Sequence, residues 1–474
     1  FLDTPEWIAG YFGKPAWLGC LAGDWLTQFY VYPAVGPVIL TLVIALCSWM
    51  FQRLMRGWLL TPVFACLLVA CSFSESADLA FFLCVAGGLS LGFVRTGGNW
   101  NMLLAPLLTC LSYWMFGFGA LLTVYAILLG CGFQKWKEVK KWLPAMFSVA
   151  VLSGFPALLC RGYSLPYVTA CLYPGFIQLS KPDMKLERRL AIAEAYYKGD
   201  YEEAKRLSAK DKEPDDFTAF YYYLASAVSD SLPDNLLKYP VKSLGTLTTI
   251  GEKTPLPIIN MMNDLYFELG DMTYAERAAM MRNVFSPRNR NVRMVKRLAE
   301  INLVSGDTLA AAKYLRILDR THAYSEWSRS RMPGHMPEDV EKGILRRRSV
   351  SNTKDNLRLG DNCRYIILEL LESNPRNTVA LDYLLCTDLL LKDMDTFKMD
   401  YDTYCMDKGQ PRYKSLYQQA LMIYLAGTDA PQEVWEKYIV QSSPDAQRFG
   451  AYSGNRGNPA FADTYWYYFD MTGK

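Results

Sequence analysis

The stretch TGGNWNMLLAPLLTCLSYWMFGFGALLTVYAILLGCGFQ, Thr96 to Gln134, runs for 39 residues without a charged side chain. At about 1.5 Å per residue a single helix of that length would be about 58 Å long, roughly twice the hydrocarbon thickness of a bilayer. Two spans fit and one does not. The turn between them is expected at Trp114 to Gly119, where Gly117 and Gly119 flank Phe118. Whether this stretch crosses once or twice decides on which side of a membrane the rest of the chain lies.

The sequence on either side has the same character. Between Val31 and Cys131 the only charged residues are Arg53, Arg56, Glu75, Asp78 and Arg95, and each falls between apolar runs. An ionised group at mid-bilayer costs roughly 2.5 to 3.5 kcal/mol, so lipid as a solvent confines charges to the gaps in this way. The expected spans are Val31 to Phe51, Gly57 to Ser74, Leu79 to Val94, two within Thr96 to Gln134, and Trp142 to Cys160, six in all. The inner turns then collect Arg53, Arg56, Arg95, Lys135, Lys137, Lys140 and Lys141 against Glu138 alone. The positive-inside rule therefore places both ends of the chain outside the cytoplasm. Trp49, Trp58, Trp100, Trp136 and Trp142 fall beside those inner turns, as an aromatic belt does.

Residues 1–30 are too interrupted by Pro5, Gly10, Gly13, Pro15 and Gly19 to span. From Trp17 onward, Leu18, Leu21, Trp25, Leu26 and Phe29 recur at helical spacing and predict a short helix lying in the outer interface. Phe1 stands where an initiator Met would, with no signal sequence before it, so the native start is expected upstream.

Charge divides the chain. Residues 1–180 hold 9 Lys/Arg and 6 Asp/Glu, and residues 181–474 hold 41 of each. A balanced tail argues against a nucleic-acid module, which needs a basic excess to neutralise phosphates. The 12 cysteines show no metal-ligand spacing, and the only histidines are His322 and His335. That inventory leaves little room for His-based zinc sites or Ser-His-Asp chemistry. No phosphate-binding loop, dinucleotide fingerprint or zinc helix is present, and no cofactor or metal is expected.

Residues 162–184, with Pro166, Pro174 and Pro182, read as an extended linker. Residues 185–474 read as a soluble all-α domain. Gly199-Asp200, Gly270-Asp271 and Gly306-Asp307 are each followed at the same offset by Ala204, Ala275 and Ala311. This pattern resembles tetratricopeptide repeats, in which glycine ends one helix and a small residue sits where paired helices cross. The resemblance implies an α-solenoid. Phe217 to Ala227 with Asp234 to Tyr239 would be a further unit, and Leu381 to Tyr401 and Tyr413 to Ile439 later ones. Periodicity lapses between Thr321 and Asp361, which reads as an irregular insertion carrying Arg346, Arg347 and Arg348 in a solvated loop. The aromatic run Tyr465 to Phe469 reads as a buried capping helix.

Arg290, Arg293 and Arg297 share one helical face and are the candidate anion-binding or partner-binding residues, against a default of a solvated charge stripe. No catalytic set is apparent. Asp3 and Glu6, in the first outer segment, are the acids that an enzyme acting on lipid-linked sugars would use. The layout of spans and tail, with Leu26 to Tyr32 and Thr464 to Tyr467, resembles a group of uncharacterised bacterial polytopic envelope proteins. That resemblance supplies no catalytic residues. The expectation is an inner-membrane protein in contact with lipid, whose periplasmic helical-repeat tail is a scaffold for a protein, peptide or glycan. A membrane glycosyltransferase or ligase-like enzyme is the alternative.

Overall fold

A computed structural model describes the chain except for residues 3, 56–58, 75–77, 94–100, 131–138, 164, 176–178, 243, 245–253, 287–290, 335, 353–362 and 473–474. Among the described residues all regular structure is helical, and the chain divides into two compact units. One comprises residues 1–183 with the short segment 319–326; the other comprises the rest. The turns expected to face the cytoplasm, with Trp58, Trp100 and Trp136, lie largely outside the described residues.

The first unit contains α1 (Pro5–Phe12), α2 (Trp17–Thr27), α3 (Val35–Met55), α4 (Thr61–Ser72), α5 (Leu79–Gly92), α6 (Asn101–Phe116), α7 (Ala120–Gly130), α8 (Val139–Tyr163) and α9 (Tyr167–Cys171). Three stretches are long and apolar enough to cross a membrane: Val35–Met55, Leu104–Leu129 and Leu143–Gly162. The second is not one straight rod. Ser112 Oγ lies 2.7 Å from Thr123 Oγ1, whereas eleven residues of continuous helix would hold them about 16 Å apart. The chain turns back through the 3₁₀ turn Gly117–Gly119, where the glycines predict the break. Helices α4 and α5, at 12 and 14 residues, are shorter than the spans expected there.

Small residues make this turn possible. Gly117 has φ +54°, and a Cβ on it would come within 2.1 Å of the Tyr173 carbonyl oxygen. A Cβ on Gly119 would stand 2.1 Å from the Cys84 oxygen, so α5 and the turn meet backbone to backbone. Helix α5 is buried along nearly its whole length at the centre of the unit. Residues 162–183 depart from the extended linker expected of them. They carry the end of α8 and all of α9, Tyr173 is buried, and the Ser180 amide donates to the Ala70 carbonyl at 3.1 Å. Prolines suggest an exit; buried Ala170 and Tyr173 hold the segment on the unit.

The second unit contains α10 (Met184–Tyr197), α11 (Tyr201–Ala209), α12 (Asp216–Val228), α13 (Leu232–Asn235), α14 (Leu256–Glu268), α15 (Met272–Val284), α16 (Val292–Ser305), α17 (Thr308–Asp319), α18 (Ser325–Arg329, its first residues in the other unit), α19 (Glu338–Val350), α20 (Cys363–Ser373), α21 (Thr378–Leu390), α22 (Met394–Tyr401), α23 (Ser415–Gly427), α24 (Gln432–Tyr438), α25 (Pro444–Ser453) and α26 (Tyr465–Met471). Successive helices pair through one recurring turn. Gly199, Gly270 and Gly306 adopt φ of +82°, +83° and +88°. Each following aspartate caps the next helix, accepting from Glu203 N at 3.0 Å, Tyr274 N at 3.0 Å and Ala310 N at 2.9 Å. Ala204, Ala275 and Ala311 are fully buried where the paired helices cross. The same turn recurs without glycine at Lys392, φ +56°, whose neighbour Asp393 caps α22 through Thr396 N at 3.1 Å.

Asp215 caps α12 through a reciprocal bond with Thr218 and also meets Lys185 and Arg189 on α10. Partial burial works against its charge, but Arg189, the Thr218 amide and Lys185 outweigh it and hold the carboxyl at about 2. Because this value is depressed, its contribution is present above the ordinary carboxylate range and is lost as pH falls through 2. Asp215→Ala is expected to cost about 1 kcal/mol at neutral pH and close to nothing below pH 2, as read from urea unfolding at both pH values.

The segment read as an irregular insertion contains the 13-residue helix α19. Few apolar residues mark it, and none of its side chains is buried, so no hydrophobic period announces it. It is held by its C-terminal end instead. Arg348 donates through Nε to Val304 O and through Nη2 to Leu303 O, both at 2.7 Å, capping α16. The Asn352 amide reaches Gly270 O at 2.9 Å.

Candidate functional site

Four of the helices that open successive pairs, α10, α12, α14 and α16, bring polar and aromatic side chains onto one another. Helix α14 presents Asp264, Phe267 and Glu268, and α16 presents Arg293, Lys296, Arg297 and Glu300, each set at the spacing that shares a helical face. Asp264 is 1 % exposed and Arg297 5 %. Arg297 Nη2 donates to Asp264 Oδ1 at 2.8 Å, and Arg293 Nη2 donates to Oδ2 of the same carboxylate at 3.2 Å. The Tyr221 hydroxyl donates to Oδ2 as well, at 3.2 Å. Arg347 of α19 donates to Glu268 Oε2 at 2.6 Å.

The aromatic rings alternate with these cations. Phe267 lies between two guanidinium groups, Arg297 at 4.1 Å and Arg347 at 4.5 Å from the ring centre. Tyr197 lies between Arg293 at 4.0 Å and Lys296 at 4.6 Å. Trp327 extends the row, with Lys296 at 5.1 Å and Arg331 at 4.5 Å. A positive charge over a ring face is attracted by the ring quadrupole, so each ring fixes two cations without neutralising them. The row from Arg331 through Trp327, Lys296 and Tyr197 to Arg293 is half-buried, whereas the Asp264 pair beneath it is dry.

Electrostatics follow from this layering. Burial disfavours the Arg297 charge, yet Glu300, Asp264 and Glu268 outweigh it and hold the guanidinium above its ordinary range. Burial, with Glu268 beside it, pushes the Tyr201 phenol up to about 12. Burial and then Glu268 also raise Tyr196 well above its usual value. The Tyr196 hydroxyl is buried without a hydrogen-bond partner among the described residues.

Of the three arginines singled out by sequence, Arg293 and Arg297 are brought together and Arg290 lies outside the described residues. The two are not the solvated stripe that a charge run ordinarily forms. Asp264, 29 and 33 residues away, takes both. The sequence does not single out Asp264, Glu268 or the interleaved rings, and the one available signal is an acidic pair at i, i+4 inside an otherwise uncharged helix. Arg347, expected in a loop, supplies the cation from α19. Glu6, one of the two outer acids, sits in the first turn of α1, where a helix end favours a carboxylate; Asp3 lies outside the described residues.

A second buried network lies further along the chain. Arg412 Nη2 reaches Asp382 Oδ2 at 2.8 Å and Asp230 Oδ1 at 2.5 Å, and the Tyr417 hydroxyl donates to Asp382 Oδ1 at 2.8 Å. Burial pushes the Asp382 carboxyl up to about 6 against the pull of Arg412 and Tyr417. Asp382 is buried at the inner end of this network, whereas Asp230 at its outer end is exposed.

Comparison with curated proteins and with solved structures finds no match. A family model does match, that of a family of unknown function, DUF6057, over residues 1–472, and the chain therefore belongs to that family.

Proposed function

We propose that the protein is a multi-pass inner-membrane protein whose tail is a tetratricopeptide-like α-solenoid in the periplasm, serving as a scaffold for a protein, peptide or glycan partner. The recurring Gly-Asp turn with its buried alanine supports the solenoid, since one supersecondary unit repeated along a chain buries a continuous core. The turn at Gly117–Gly119 supports an even number of crossings through Thr96 to Gln134, and with it a tail outside the cytoplasm. The observation that carries the binding role is the half-buried row of alternating cations and rings. Flat apolar faces and fixed positive charges together suit a partner that offers carboxylates beside apolar or sugar-ring surface.

The test compares proteins and glycans that co-purify with the detergent-extracted wild type and with the Lys296→Ala/Trp327→Ala double variant. A partner recovered with the wild type and reduced at least about tenfold with the variant supports the reading, tenfold being about 1.4 kcal/mol. Identical recovery would count against this surface. An enzyme acting on lipid-linked sugars finds no favouring observation, because Glu6 is explained by its place at a helix start.

A further inference from the structure

Within the first unit an open cleft of about 590 Å³ runs beside α2. Leu18, Leu21, Ala22 and Trp25 form its wall on that helix, and Ile8 on α1 closes one side. Phe1, Gln28, Arg320 and His322 complete the lining, the last two from the 319–326 segment that belongs to the same unit. The volume falls in the range that holds a small ligand.

The cleft has two chemically different ends. Leu18, Leu21 and Ala22 occupy the start and middle of α2, and Gln28 follows its last residue, about 15 Å along the axis from Leu18. The His322 ring lies beside that second end, 5.5 Å from Phe29 and 6.2 Å from Tyr32. Arg320 makes no hydrogen bond or ion pair among the described residues, and no carboxylate is in the lining. A guanidinium in the lining of a cleft that is otherwise largely apolar recognises an anion carried on a hydrocarbon body. The chain leaves the same edge through Tyr30, Val31 and Tyr32, all exposed, and enters α3, one of the stretches long and apolar enough to span. Exposed aromatics at that junction suit the headgroup level of a bilayer.

We propose that this cleft binds a phosphate-bearing lipid, its phosphate on Arg320 with Gln28 and His322 beside it, and its chain along Leu18, Leu21 and Trp25. Second copies and peptides are less well matched, because neither requires the single unpaired cation to lie over an apolar trough. The inference concerns the first unit alone and does not depend on which side of the membrane the tail occupies.

The test uses the full chain in neutral detergent with two fluorescent-tailed probes, phosphatidylglycerol and the matching diacylglycerol without phosphate, read by anisotropy. The wild type is expected to bind the phosphatidylglycerol about tenfold more tightly, the fold-change of roughly one charge-assisted contact. Arg320→Gln should erase that preference while leaving diacylglycerol binding unchanged, and Arg320→Lys should keep most of it. Arg316→Gln, an exposed cation outside the lining, should change nothing. Equal binding of the two probes by the wild type, or a preference that survives Arg320→Gln, would overturn the proposal. Displacement of phosphatidylglycerol by millimolar inorganic phosphate, without a contribution from the chain, would assign the site to a free anion and overturn the lipid reading.

Discussion

Asp264→Ala is expected to destabilise the second unit by about 3 to 5 kcal/mol, the cost of leaving a buried charge without its partner. The carboxylate holds Arg297 and Arg293 together and accepts from Tyr221, and Arg297 is almost fully buried, so water does not replace it. Glu300, 3.5 Å from Arg297 Nη1, limits the loss without cancelling it. The asymmetry is informative. Replacing the trio as a set, Asp264→Leu with Arg293→Met and Arg297→Met, should be much milder than the single change, because apolar groups of similar volume need no partners. Urea unfolding of the full chain in detergent, followed by near-ultraviolet circular dichroism, measures both. A single change no worse than the triple would show that the pair is not a buried structural contact.

Trp466→Ala is expected to cost about 3 to 5 kcal/mol as well, through a different cause. The indole is fully buried between Phe449 at 5.2 Å and Tyr452 at 5.7 Å, and its Nε1 donates to Gln419 O at 3.0 Å. Truncation opens a cavity and leaves a buried carbonyl without its donor. Trp466→Phe keeps most of the packing and should cost less than half as much. Limited proteolysis is the sharper readout, since α26 seals α23 and α25 and its loosening should expose residues 415–474 to cleavage first. Unchanged cleavage would mean that the aromatic run is an adhesive surface rather than a cap.

Local geometry was legible in the sequence where one residue type solves a backbone problem. Gly199, Gly270 and Gly306 announced left-handed turns, the aspartates beside them announced helix starts, and Ala204, Ala275 and Ala311 announced close crossings. Gly117 and Gly119 marked the reversal inside a 39-residue uncharged run for the same reason. Lys392 shows the limit of this reasoning, because there the identical turn is built on a residue that gives no hint of it.

Pairings at a distance were not legible. Nothing near Arg293 or Arg297 in the chain points to Asp264, so a buried ion cluster read as an ordinary stripe of charge. Helix α19 was missed because it contributes polar side chains and backbone contacts rather than an apolar face, and pattern reading detects only the latter. The segment after α8 is hard to read for the same reason: its prolines suggest an exit, and nothing in the pattern marks Tyr173 as buried.

The orientation of the tail underlies the proposed scaffold role, and protease accessibility tests it most directly. The chain carrying an epitope after Lys474 should lose that epitope when protease is added to intact spheroplasts and keep it in sealed inverted vesicles. An epitope that survives in spheroplasts and is digested in inverted vesicles would place the second unit in the cytoplasm and contradict the account.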